Sequence, residues 1–301
     1  MNALLQVVHG LDFGAYQFLN GFAGNWFLDH LAGFEERNNL LKGGLFLAMY
    51  ASLWFRPDPR QEERRRTIFA ILTGTLLALV VCRIIADIFP FRLRPMYDPS
   101  LPHHAYAVPP SLRMVDWSSF PSDTAAYFFA LAVGLAHLLR RFSVPILLYT
   151  AGWICLPRMF LGEHYLSDIL AGAAIGMVVV KASLASHWLR QRFASHVLRF
   201  MDLEPHVFYA AAFLAFLEMG VMFDDVLSPV RGLFHALHTG PSGDLFRALL
   251  TGLSILGAVL MGVLLLLPVL SRRHKIRRMA FARQDCLGVE AAPGHGRTGH
   301  L

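Results

Sequence analysis

Apolar blocks long enough to cross a bilayer recur along the chain, separated by short clusters of arginine and lysine. A lipid interior offers no water to backbone N–H and C=O groups, so such a segment must close its own hydrogen bonds, as a helix does. About 20 residues of helix span the hydrocarbon core. The blocks that meet or approach this length are 38–55, 67–89, 121–139, 143–160, 165–185, 206–223 and 247–270. The expected fold is all-α, a polytopic transmembrane helical bundle with about seven spans. Charged residues are only 16% of the chain, against roughly 25% in soluble domains. The formal charge of +6 sits in clusters at the block ends. That pattern anchors a chain to the cytoplasmic side of a membrane and excludes nucleic acid as a partner. Cys82, Cys155 and Cys286 are too scattered for a disulfide framework or a zinc site.

Residues 1–37 read as an N-terminal interfacial or re-entrant segment. Gly10, Gly14, Gly21 and Gly24 break them, and Tyr16, Phe18, Phe22, Trp26 and Phe27 suit the headgroup level. The apolar run there is interrupted by His9, Asp12 and Asn20 without a basic region before it, so no cleavable leader is expected. Residues 38–185 form the core, with a polar, Pro-rich loop at 90–120. Residues 186–204 read as a cytoplasmic amphipathic helix, with Arg190, Arg192 and Arg199 among Trp188, Leu189, Phe193, Val197 and Leu198. Two further spans occupy 205–271, and Glu218 inside the first of them is a candidate functional carboxyl. The tail, 272–301, opens with Arg272, Arg273, Lys275, Arg277 and Arg278, which suit anionic lipid headgroups, and is expected to be disordered from 285.

Basic clusters set the orientation. Arg56 to Arg66, Arg140 with Arg141, Lys181 to Arg192 and Arg272 to Arg278 fall on one set of connections, which the positive-inside rule places in the cytoplasm. Loop 90–120 and the junction near 160–165 then face outward. Arg92, Arg94 and Arg113 in that loop run against the rule, which marks them as held for a task.

Three short stretches carry candidate chemistry. The first is Arg158-Met-Phe-Leu-Gly-Glu-His164-Tyr-Leu-Ser-Asp168. Pro157 and Gly162 are expected to break the helix and leave Arg158 in a turn, with His164 at the start of the next span. Asp168, four residues on, would share a helix face with His164, fix its tautomer and support its cationic form. An imidazole so held is a nucleophile toward phosphorus. The second stretch is Arg92-Leu-Arg94-Pro95, whose guanidinium fork suits phosphate oxygens. The third is Phe120-Pro121-Ser122-Asp123-Thr124, offering a hydroxyl and free N–H groups at a helix N-terminus. Each has a plain alternative: an interfacial ion pair, a snorkelling arginine, a helix cap. The topology places all three on one membrane face, although other residues set the orientation.

Together the stretches resemble the type 2 phosphatidic acid phosphatase (PAP2) superfamily, whose pattern is Lys-x6-Arg-Pro, Pro-Ser-Gly-His and Ser-Arg-x5-His-x3-Asp. Arg94-Pro95 matches the end of the first motif, Pro121-Ser122 the start of the second, and Arg158, His164 and Asp168 the third in spacing. The resemblance covers roughly 40–185. It implies a helical bundle with an extracytoplasmic pocket in a bacterial-type inner membrane. There His164 attacks phosphorus and forms a phosphohistidine, and Asp168 orients it. Arg94, Arg158 and Ser122 hold the phosphoryl oxygens, and neither metal nor other cofactor takes part. The implied substrate is a lipid phosphate or diphosphate, polyprenyl or phosphatidyl in type. Membrane lipids are the other expected partners.

The departures are specific. Asp87 stands at the Lys of the first motif, Asp123 and Thr124 at the Gly and His of the second, and Pro157 before Arg158. The second-motif His is the family's general acid, a role Thr124 cannot fill. A substitute acid among His103, His104, Asp123 and Glu163 is one solution. A leaving group that needs no proton is another, and a changed activity, either transfer to an alcohol or binding without turnover, is a third. Arg83 or Arg92 could stand in for the missing Lys.

Overall fold

A computed structural model of the chain describes residues 3–101 and 117–223. Helices α1 (Ala3–Asn20) and α2 (Trp26–Arg37) come first. A π-helical turn, Leu40–Gly44, leads into α3 (Leu45–Phe55), and α4 (Gln61–Ile88) follows. After the 3-10 turn Pro95–Tyr97 come α5 (Asp123–Leu138), α6 (Ser143–Tyr149), α7 (Leu156–Phe160), α8 (Leu166–Ala185), α9 (Ala194–Leu203) and α10 (Pro205–Gly220). No strand occurs among the described residues. The chain divides into two compact units, 1–202 with 213–223, and 203–212 with 224–301. Of the second unit only residues 203–212 are described, and they are helical apart from Glu204.

Three helical runs are long and apolar enough to cross a membrane: Gln61–Ile88, Arg140–Phe160 and Leu166–Ala185. The apolar helices Leu40–Phe55, Asp123–Leu138 and Pro205–Gly220 are shorter. The count of about seven spans thus becomes three long and three short helices among the described residues, with 247–270 outside them. The shortening has local causes. Ser122 caps α5, its Oγ accepting from the Ala125 N–H, and so starts the helix at Asp123. At the other end Arg56, an extended residue before Pro57, closes α3.

The core of the first unit is α4, α5 and α8. Gly172 and Gly176 on α8 lie against the Ser122 and Ala126 carbonyls of α5, where a Cβ would come within 2.1 Å of either oxygen. Small residues four apart let two backbones touch where no aqueous hydrophobic effect drives helices together. This contact ties the start of α5 to the first half of α8, and the Ser122 N–H donates to the Asp168 carbonyl at 3.1 Å. Polar groups inside the bundle find acceptors: Tyr50 Oη donates to the Leu131 carbonyl and Tyr127 Oη to the Met219 carbonyl, each at 2.6 Å.

In the N-terminal segment, Gly10 and Gly14 lie inside α1 and do not break it. An internal glycine costs only about 1 kcal/mol relative to alanine. The turn falls at residues 21–25, with Gly24 at φ +86. Asp12, Tyr16 and Asn20 recur every fourth residue and are buried, whereas Leu11 and Phe18 are exposed. The face of α1 toward the bundle is therefore polar, and Tyr16 is a core residue. In α9, Ala194, Leu198 and Met201 are buried while His196 and Arg199 are exposed, as is Arg192 in the π-helical turn before it. Glu218 is half-buried. The loop histidines, the last span and the basic tail lie outside the described residues.

Candidate active site

The approach to Arg158 is shaped by Pro157. Proline supplies no N–H to the preceding turn, and the run widens to a π-helix over Thr150–Cys155 before α7 resumes. Arg158 lies in the last turn of α7, buried, rather than in the break after it. The break is at 161–165, where Gly162 takes φ +73. There its carbonyl accepts from Met96 N–H at 2.8 Å, which clamps the Arg94-Pro95 segment onto the reversal.

His164 sits in this reversal, and α8 begins at Leu166 with Tyr165 as its N-cap. The imidazole Nδ1 is 2.8 Å from the Ser119 carbonyl. A carbonyl only accepts, so the neutral ring carries its proton on Nδ1 and leaves a lone pair on Nε2. Asp168 does not take that proton: its Oδ2 is 3.9 Å from Nδ1 and instead accepts from the Tyr165 N–H at 2.8 Å. The expected geometry, with both residues on one helix face, is corrected here, because His164 precedes the helix and Asp168 caps it. Asp168 acts on the ring through its charge, and Ser119 fixes the tautomer.

Two guanidinium groups flank this junction. Arg94 Nη1 donates to the Glu163 carbonyl at 2.9 Å and lies 3.5 Å from His164 Nε2. Arg158 Nη1 pairs with Glu163 Oε2 at 2.5 Å. Among the described residues, the buried Nε atoms of both arginines have no hydrogen-bond partner. Such orphaned donors are rare in folded proteins and call for an acceptor. Burial holds the Arg94 guanidinium below the usual arginine range, against the pull of Glu163 and Asp123. Burial also opposes charge on Glu163, but Arg158, by attraction and hydrogen bond, with His164 and Arg94, keeps its carboxyl below the usual carboxylate range. A carboxylate held charged at neutral pH is no proton donor, so Glu163 does not fit the role of substitute acid.

The second-motif residues divide. Ser122 is fully buried as the α5 cap. Asp123 pairs with Arg83, whose guanidinium stacks 4.1 Å from the Trp117 ring centroid. Ion-paired in this way, Asp123 is a poor acid too. Thr124 is buried beside it, its N–H donating to Asp123 Oδ1 at 2.7 Å. Asp87 is exposed near the end of α4. Arg92 turns away from Arg94 and binds Asp168 and Asp12, each at 2.6 Å. His103 and His104 lie outside the described residues.

Sequence reasoning missed the contribution of α2 and the turn after it. Glu35, Glu36 and Lys42 stand within electrostatic reach of Arg158 and Glu163, and Lys42 Nζ donates to the Glu36 carbonyl. Only Lys42, a lone cation near the start of an apolar block, signalled it. Glu35 is 1% exposed, and among the described residues neither carboxylate oxygen has a hydrogen-bond partner. Burial, reinforced by Glu163 and Glu36 and opposed by Arg158 and Lys42, pushes this carboxyl up to about 7. Its folded value is raised, so its contribution to stability is full below the ordinary 4.5 and is lost as pH rises through about 7. The variant Glu35→Gln is therefore expected to melt above the wild type at pH 8 and beside it at pH 5, measured by thermal unfolding in detergent.

Fold and site together define an all-helical membrane protein whose buried arginines and histidine suit an anion such as a phosphoryl group. A family model described as the PAP2 superfamily matches residues 67–192, from α4 to the π-helical turn after α8. Over these residues the chain is similar to that superfamily, whose members are usually phosphatases. Helices α1 to α3, α9 and α10 lie outside the match. Neither the curated proteins nor the solved structures include a match to the chain.

Proposed function

We propose that the protein is a membrane lipid phosphatase or phosphotransferase that acts on a lipid diphosphate or phosphate through a phosphohistidine on His164, with its site at the extracytoplasmic face. The observation that carries this reading is the buried Arg94 guanidinium 3.5 Å from His164 Nε2, with the buried Arg158 paired to the adjacent Glu163 and the Nε of each arginine unpartnered among the described residues. Arg94 and Arg158 neutralise the oxyanion, and Nε2 forms the P–N bond as the P–O bond to the leaving group breaks. Water, or an alcohol acceptor, then takes the phosphoryl group and restores the imidazole. Asp168 stabilises the positive charge that the ring gains on attack.

Neither Thr124 nor the ion-paired Asp123 and Glu163 supplies a proton, which favours substrates whose leaving group departs without one. A lipid diphosphate meets this need, since a stabilised phosphate monoester leaves. A lipid monophosphate would have to expel an alkoxide. Purified protein in mixed micelles is expected to release phosphate from a polyprenyl diphosphate at least about 10²-fold faster than from phosphatidic acid, the scale of a missing general acid. Comparable rates on the two lipids would place an acid in the site and remove this preference.

The Arg158–Glu163 pair and the exposed Asp87 favour a second reading, a degenerate family member that binds or moves a lipid phosphate without hydrolysing it. Absence of phosphate release from both lipids, with orthovanadate still protecting the fold against heat, would select it.

A further inference from the structure

We propose that Asp12, on the N-terminal helix and outside the matched region, is a positioning residue that sets the electrostatic support of His164 through Arg92 and Asp168. The inference rests on the reading of His164 as the nucleophile. Asp12 is 1% exposed and accepts three hydrogen bonds across 80 residues or more of chain. Its Oδ1 takes the Ser167 N–H at 2.8 Å, and its Oδ2 takes Ser167 Oγ and Arg92 Nη2, each at 2.6 Å. Through Nη1, Arg92 donates to Asp168 Oδ1 at 2.6 Å and to Ser167 Oγ at 2.8 Å. Its planar face lies 4.0 Å from the centroid of the Tyr165 ring. Tyr165 in turn donates to Asp98 Oδ2 at 3.2 Å.

These contacts build a row of alternating charge: His164, Asp168, Arg92, Asp12. Arg92 draws on the same carboxylate that faces the imidazole, so it weakens the support Asp168 gives a positive ring. Asp12 draws Arg92 the other way and restores part of that support. Every carboxylate in the row is buried, so the interactions are poorly screened. The geometry matters as much as the charge. Both oxygens of Asp168 are engaged, Oδ1 by Arg92 and Oδ2 by the Tyr165 N–H, and Asp12 holds the donor on the first of them. Other groups acting on His164 are Arg94, Glu163, Asp123 and the Ser119 carbonyl.

The sign is testable without turnover. In full-length protein labelled with 15N-histidine, His164→Ala assigns the His164 signals, and their titration is followed in each variant. Asp12→Asn leaves Arg92 less compensated and is expected to move the His164 midpoint down. Arg92→Gln removes a cation from behind Asp168 and is expected to move it up. Shifts of roughly half a pH unit or more each way follow from charge removal at these spacings. In active protein Asp12→Asn lowers kcat about tenfold with KM within twofold, because Asp12 touches no substrate. A role confined to folding would move both midpoints together or neither, and that result overturns the proposal. If Asp12→Asn fails to fold, Arg92→Gln alone decides: an unmoved or lowered midpoint overturns it. Failure of the nucleophile reading looks different, since His164→Ala would then keep its activity whatever the titrations show.

Discussion

Replacing His164 by alanine is expected to abolish phosphate release, with a loss of at least about 10⁴-fold in kcat, the scale seen when a nucleophile is deleted and only binding remains. The large effect follows from the division of labour in the site. The arginines hold and neutralise, but none of them forms a bond to phosphorus. Only Nε2 presents a lone pair, because the Ser119 carbonyl holds the other ring nitrogen in its protonated form. Asp168→Asn is expected to cost less, since its carboxylate stands 3.9 Å from the ring and does not fix the tautomer. The check is twofold. Phosphate release is measured on a lipid diphosphate, and wild type and variant are exposed to 32P-labelled substrate and quenched in alkali. Wild type should retain a label that acid removes, as a phosphoramidate does, and the variant should retain none. A variant that still labels places the nucleophile on another side chain.

The spacing Arg158, His164, Asp168 was legible because it is local: separations of six and four residues keep the three near one helix junction. The meeting of Arg94 with His164 was legible one level up, since hydropathy and arginine placement set the direction of each span. What the spacing could not give was the partner of each group. Spacing sets His164 against Asp168, four residues on, but its proton goes to the Ser119 carbonyl, 45 residues away along the chain. Arg83 and Arg92 are both candidates to replace the missing lysine, yet Arg83 pairs with Asp123 and Arg92 with Asp12 and Asp168, while Arg94 stands beside His164.

The first helix was misleading for a related reason. Asp12 and Asn20 interrupt an apolar run, and in sequence such interruptions look like departures from a membrane pattern. In the fold they lie eight residues apart, with Tyr16 midway, on the buried face of α1, where Asp12 meets the N-terminus of α8. Periodicity of polar residues in an apolar helix carries the same information as periodicity of apolar residues in a polar one. The carboxylates of α2 are a harder case. Glu35 and Glu36 sit in a short, mixed helix with Arg37, and nothing in that stretch distinguishes a solvated charge run from one turned toward Arg158.

Thr124→His is expected to raise the hydrolysis of a lipid monophosphate by about 10²–10³-fold while changing that of a lipid diphosphate only a few-fold. The argument is about which bond needs help. A diphosphate expels a phosphate monoester, whose charge is already delocalised over its oxygens and stabilised by Arg94 and Arg158. A monophosphate expels an alkoxide, and without a proton that step dominates the barrier. Thr124 offers only a hydroxyl, and Asp123 beside it is committed to Arg83. An imidazole at 124 titrates near neutrality and supplies the missing proton. The opposing effect is steric: the position is buried in the first turn of α5, and a larger side chain in a packed interior costs about 1–3 kcal/mol. A melting curve separates a variant that has lost its fold from one that has gained no acid. In a protein that only binds its ligand, the same substitution should create turnover where there was none. A folded Thr124→His protein with unchanged rates on both lipids would mean that the leaving oxygen is already protonated. It would direct attention to His103 and His104 in the loop between Arg94 and Ser122.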